Sequence, residues 1–122
     1  MTQQLSSAPI GRGLAAAGAV LAAISVALAA YASHAALGPD QVRLQHAALF
    51  GFGHGIALAA LAPRASRRLG HAALVLMLAG VLLFSGSLAA AVFLGTPTAL
   101  APAGGSLMIL AWLLHAADAV RR

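Results

Sequence analysis

Cysteine is absent from this chain of 122 residues, which excludes a disulfide framework, a thiolate metal site and cysteine nucleophiles. Charge is nearly as scarce. All seven basic residues are arginine, the only acids are Asp40 and Asp118, and charged residues make up 7% of a sequence that is 61% hydrophobic. A water-soluble domain of this size could not hide so much apolar surface in one core, so its solvent must be lipid. Aromatic residues are few, at 5%, and the arginines form no stripe interleaved with them. The formal charge of +5 is therefore no signature of nucleic-acid binding. No P-loop, dinucleotide fingerprint, hydrolase triad or paired carboxylate is present, and the expectation is that the chain is not an enzyme.

What is present is a series of apolar runs separated by helix breakers. Residues 1–10 are expected to form a flexible N-terminal tail, and residues 11–122 a single domain with four spans, at about 13–36, 41–61, 69–94 and 100–120. Gly38-Pro39-Asp40 closes the first span, with Asp40 placed to cap the second. Pro63 to Arg68 is a basic turn in which Ser66 is the expected cap of the third. Gly95-Thr96-Pro97 ends that span, and Pro102 falls in the first turn of the fourth, where its missing N–H costs nothing. The fold expected is an all-α integral-membrane four-helix bundle. Six arginines (Arg12, Arg64, Arg67, Arg68, Arg121 and Arg122) lie at one end and only Arg43 at the other, which predicts both termini in the cytoplasm and a bacterial-type inner (plasma) membrane. The first run, ending in Ala30-Tyr31-Ala32, also has the form of a cleavable secretory signal, but it is long for a signal core and a retained span is preferred.

Five histidines lie at or within the spans, where an ionisable group is a functional candidate by default. By depth, His34 and His46 fall at the outer ends of spans one and two, His71 and His115 at the cytoplasmic rim, and His54 near the midplane. His115 and Asp118 are expected in a rim network with Arg121 and Arg122. An imidazole at the depth of His54 needs a partner within the bundle. Its flanking Gly51 and Gly55 form a GxxxG pair that admits another backbone. The expected role is an interhelical hydrogen bond that sets register, with ligand binding or proton handling as the alternative. A bis-histidine haem site is disfavoured, because His46 and His54 are two turns apart on one helix. A metal site at His34 and His46 would lack supporting ligands. No cofactor or metal is expected. Small residues recur where helices should meet: Ser25, Ala29 and Ser33; Gly80 and Gly86; Ala101 and Gly105.

The ordered set Ser33-His34-Ala35, His54-Gly55-Ile56-Ala57-Leu58, Leu83-Phe84-Ser85-Gly86-Ser87-Leu88 and Pro102-Ala103-Gly104-Gly105 with Trp112 resembles the domain-of-unknown-function 423 family. These are YgdD-like small inner-membrane proteins, similar to transmembrane protein 256. The resemblance runs from about Gly11 to Val120 and implies a retained first span, four helices and an inner-membrane location, but no activity. Placed by depth, Ser33, His34, His46, Ser85, Gly86, Ser87, Pro102, Gly104 and Gly105 fall in the outer half. With His54 as floor, and with Trp112, they form a candidate polar pocket or packing site.

Three functional classes follow. The leading one is a non-enzymatic scaffold or accessory subunit whose partners are the lipid bilayer and another membrane protein or a second copy. The others are a proton or small-solute channel using the intramembrane histidines, and a lipid- or cofactor-binding membrane protein.

Overall fold

The computed structural model describes residues 2–121, with side chains from Pro9 onward. Four helices run in sequence: α1 (Thr2–His34), α2 (Gly38–Leu61), α3 (Arg68–Leu94) and α4 (Ala101–Arg121). A single 3-10 turn, Ala62–Arg64, leads from α2 towards α3. All four helices are long and apolar enough to cross a bilayer. Even the shortest, α4 with 21 residues, covers about 30 Å at ~1.5 Å per residue, the thickness of a hydrocarbon core. The chain is thus an all-α, multi-pass membrane protein. Isoleucine, valine and leucine side chains such as Val26, Ile56, Leu82 and Ile109 stand half exposed along the outside, a surface that only lipid would tolerate.

Helix ends differ from the sequence expectation in instructive ways. Helix α1 begins at Thr2 and carries Pro9 inside it, so the stretch expected as a separate tail is continuous with the first helix. Asp40 does not cap α2. That helix starts at Gly38 with Leu37 in the cap position, because Pro39 is already set for a first turn, and Asp40 pairs instead with Arg43 at 3.5 Å. Ser66 does not cap α3 either. Ala65 is extended and Arg67 takes the cap position, so the helix begins beyond the serine. Gly95 closes α3 in the left-handed conformation, with φ of 70°, as its position after the apolar run predicts.

Burial along α1 falls on Gly11, Leu14, Gly18, Leu21, Ser25 and Ala32, and along α4 on Ala101, Gly104, Met108, Ala111 and Asp118. Steps of three, four and seven define a narrow seam of coiled-coil type. Helices α2 and α3 bury a broader face, including the adjacent pairs Ala47 with Ala48, His54 with Gly55, Ala73 with Leu74, and Gly80 with Val81. The broader face follows from their place in the chain of contacts, since α1 packs on α2, α2 on α3, and α3 on α4. One apolar layer, with Leu14, Leu58, Leu74, Met77 and Ala111, joins all four helices at the arginine-bearing end.

Candidate functional site

The centre of the molecule is a histidine whose two ring nitrogens are both occupied. His54 on α2 is 9% exposed. Its Nδ1 lies 2.8 Å from the Phe50 carbonyl one turn back, and the Trp112 indole Nε1 of α4 lies 3.0 Å from its Nε2. A carbonyl can only accept and an indole N–H can only donate, so the two contacts fix the tautomer: Nδ1–H donates to Phe50, and Nε2 accepts from Trp112. Phe50 stacks on His54 with ring centroids 6.2 Å apart, and Phe84 of α3 meets Phe50 edge-on at 5.0 Å. His115 meets Trp112 edge-on at 6.0 Å. An aromatic chain from Phe84 through Phe50, His54 and Trp112 to His115 therefore ties α3, α2 and α4 together.

Around this centre, α2 is the hub of the described polar contacts between helices. Gln41 Nε2 donates to the Ala32 carbonyl of α1 at 3.0 Å. Ser85 of α3 is buried and donates to the Ala47 carbonyl of α2 at 2.9 Å. Trp112 supplies the link to α4. Glycines set how closely the helices approach. A Cβ on Gly55 would lie 2.7 Å from the Gly18 carbonyl oxygen, and one on Gly18 would lie 2.6 Å from the Gly55 oxygen. Gly80 and Gly104 make the equivalent reciprocal contact between α3 and α4, with distances of 3.0 and 2.7 Å. A Cβ on Gly51 would overlap the Ser25 hydroxyl, which is buried and has no hydrogen-bond partner among the described residues.

The residues expected to form one pocket are distributed. His54, Trp112, Ser85 and Gly104 belong to the packing just described. Ser33, His34 and His46 are exposed near the α1–α2 loop, and Pro102 is exposed at the start of α4. Ser33 lines a groove of about 410 Å³ between α1 and α2, together with Ser25, Gln45 and Phe52. Gly86 and Ser87 line a separate groove of about 510 Å³ beside Thr96 and Pro97. A Cβ on Gly86 would meet nothing within 4 Å, whereas Gly105 lies against the Phe84 ring. The Ser106 hydroxyl, one residue on, returns to the Pro102 carbonyl of its own helix.

At the arginine-bearing end, Asp118 is 1% exposed and its Oδ1 lies 3.9 Å from Arg67 Nε. Within the described residues Asp118 thus pairs with Arg67 across helices; the expected network with Arg121 and Arg122 reaches Arg122, which lies outside those residues. The Asp118 carboxylate rests on Gly70, where a Cβ would stand 2.9 Å from Oδ2. It therefore sits against the first turn of α3, whose positive helix end no side chain of its own caps. His71 Nδ1 donates to the Arg67 carbonyl at 2.9 Å, while His71 Nε2 and His115 Nδ1 are buried with no hydrogen-bond partner among the described residues. Among the described residues no group of three or more His, Asp or Glu side chains is placed to hold a metal ion. Sequence reasoning missed Gly18 and Gly70. Gly18 lies four residues before Ala22 in a small-residue stripe and was open to detection, but nothing local marks Gly70 as the seat of a carboxylate 48 positions away.

Over residues 14–105, the chain matches the family described as protein of unknown function DUF423. That stretch includes His54, Ser85 to Ser87 and Gly104-Gly105, and stops before Trp112 and Asp118. No curated protein and no solved structure matches the chain. The match covers well over half of the sequence and agrees with the motifs around the His54 centre: the chain belongs to the DUF423 family.

Proposed function

We propose that this protein is a non-enzymatic scaffold or accessory subunit of the inner membrane, with both termini in the cytoplasm and a second membrane protein as its partner. The observation that carries this reading is the double engagement of His54. A relay or ligand-binding imidazole needs a ring nitrogen that can exchange its partner. Here one nitrogen is held by its own helix and the other by Trp112, so the ring's work is to hold α4 against α2. The cytoplasmic placement of the termini rests on the six arginines at one end against one at the other.

The test uses Trp112→Phe and His54→Gln in the full-length protein, with native mass measured after gentle extraction and proton flux measured in reconstituted vesicles. The scaffold reading expects a foreign subunit in stoichiometric amount with the wild type, a weakened assembly in both variants, and no proton flux in any of the three. Proton flux in the wild type that is lost in a fully helical His54→Gln protein would overturn it in favour of a channel. A stoichiometric small cofactor in the wild-type spectrum would overturn it in favour of a ligand-binding protein.

A further inference from the structure

We propose that the arginine-bearing end of the bundle is a binding site for one anionic phospholipid, its phosphate held by Arg12, Arg64 and Arg68 and one acyl chain lying in the groove between α1 and α3. The first argument is charge. Of the two side-chain carboxylates in the chain, Asp40 lies at the opposite end with Arg43, and Asp118 is buried against Arg67. Arg12, Arg64 and Arg68 are exposed, and no described carboxylate pairs with any of them. These three cations belong to three elements, α1, the 3-10 turn and the start of α3, that meet at the arginine-bearing end. Gly11 brings α1 against the 3-10 turn, where its Cβ would stand 2.9 Å from the Ala62 oxygen, so Arg12 lies beside the turn that carries Arg64. Arg68 opens α3 four residues later in the chain. Like charges gathered in this way call for an anion from outside the chain, and guanidinium groups match phosphate oxygens in geometry as well as sign.

The second argument identifies the source of the phosphate. A groove of about 340 Å³ runs between α1 and α3, lined by Ala16, Ala17, Val20, Leu21, Ile24, Leu78 and Leu82. Every lining side chain is apolar, as an acyl chain requires and a free phosphate or a nucleic acid does not. The groove also leads to the cations by helical spacing. Arg12, Ala16, Val20 and Ile24 follow one another at four-residue steps along α1, and Arg68, Val75 and Leu82 at seven-residue steps along α3. An anionic head over Arg12 and Arg68 thus continues into an apolar slot directed toward the midplane, the arrangement in which basic pockets at helix ends hold acidic lipids. This inference does not depend on the scaffold reading, since a channel or a ligand-binding protein could hold the same lipid.

The test places the full-length protein in phosphatidylcholine bilayer discs containing graded phosphatidylglycerol and counts retained lipids by native mass. The wild type should retain one phosphatidylglycerol in preference to phosphatidylcholine, undisturbed by millimolar inorganic phosphate. Each arginine removed should weaken retention about fivefold, so Arg12→Gln with Arg68→Gln should weaken it about twenty-five-fold. Arg12→Lys with Arg68→Lys should keep most of it, which separates lost charge from lost fold. Ala16→Phe, which fills the slot and leaves the arginines, should also reduce retention, and Arg43→Gln at the opposite end should leave it unchanged. Equal retention of the two lipids by the wild type, displacement by inorganic phosphate, or a loss in Arg43→Gln as large as in the double variant would overturn the proposal.

Discussion

The two hairpins of this bundle, α1 with α2 and α3 with α4, are closed by the same device and then secured differently. Each has one crossing where two glycines present their backbones to each other, Gly18 with Gly55 and Gly80 with Gly104. In lipid there is no hydrophobic gain from bringing apolar helices together, so close backbone packing supplies much of the attraction, and small residues, glycine above all, permit it. Beyond the crossing, the first hairpin adds a side-chain hydrogen bond near its loop, from Gln41 to the Ala32 carbonyl. The second adds a buried carboxylate at its other end, Asp118 on Gly70 and Arg67. A neutral amide can be satisfied where the backbone is irregular. A full charge is placed at the rim, where Arg67 keeps partial contact with water.

The sharpest way to break the comparison is to fill the crossings. Gly55→Ala and Gly104→Ala both place a methyl group on backbone atoms that cannot move aside, and each should cost ~1–3 kcal/mol as the helices separate. Gly53→Ala and Gly86→Ala are the controls, since a Cβ at either position would meet nothing within 4 Å. These should stabilise by ~0.5–1 kcal/mol, because alanine restricts the chain less unfavourably than glycine in a helix. Unfolding midpoints in detergent, read by helical circular dichroism, check the sign. If all four substitutions moved the midpoint in the same direction, the glycines would be marking composition and not contact.

That contrast also shows what was legible beforehand. Four spans and their glycine and proline breaks followed from apolar run length, because lipid forces each crossing segment to satisfy its own backbone as a helix. That His54 needs a partner inside the bundle was legible from its depth. Its partner was not. Trp112 lies 58 positions away, and the α2–α4 pairing depends on how two hairpins lean together, which no local pattern encodes. The failure at Asp40 and Ser66 has a different cause. Both residues suit a cap, but Pro39 starts α2 early, and α3 is served by Asp118 from another helix. The candidate set, expected as a polar pocket or a packing site, is divided for a related reason. Equal depth does not mean proximity, because residues at one level of a bundle can face four directions, as Ser33 and Gly86 do from separate grooves.

The second hairpin should yield next to a change at its charged end. Asp118→Asn keeps the shape but leaves Arg67 without its carboxylate and removes a negative group from the positive end of α3. Because Arg67 is 40% exposed and can turn to water, the loss should be ~1–2 kcal/mol, less than for a fully buried pair. Arg67→Gln should cost less than Asp118→Asn if the helix end shares in holding the carboxylate. Equal costs would confine the interaction to the ion pair. The first hairpin, which has no described charge at this end apart from exposed arginines, gives no counterpart to this difference.

The smallest effect tests how the hairpins are joined. Ser85 and Ser106 both donate to backbone carbonyls at about the same distance, but Ser85 reaches across to Ala47 of α2 whereas Ser106 returns to Pro102 on its own helix. A hydroxyl bonded one turn back forms no tertiary contact, so Ser106→Ala should leave the unfolding midpoint unchanged. Ser85→Ala removes the donor and leaves a carbonyl that already serves the α2 ladder. Its cost should therefore resemble the average for interhelical hydrogen bonds in membranes, ~0.6 kcal/mol. The readout that matters is coupling with Trp112→Phe. Both bonds end on α2, from different helices, and if α2 is the shared support of a rigid bundle, the double variant should lose more than the sum of the single losses. Strict additivity would mean that α3 and α4 are held to α2 independently, and the molecule would then be two hairpins in contact rather than one body around a central helix.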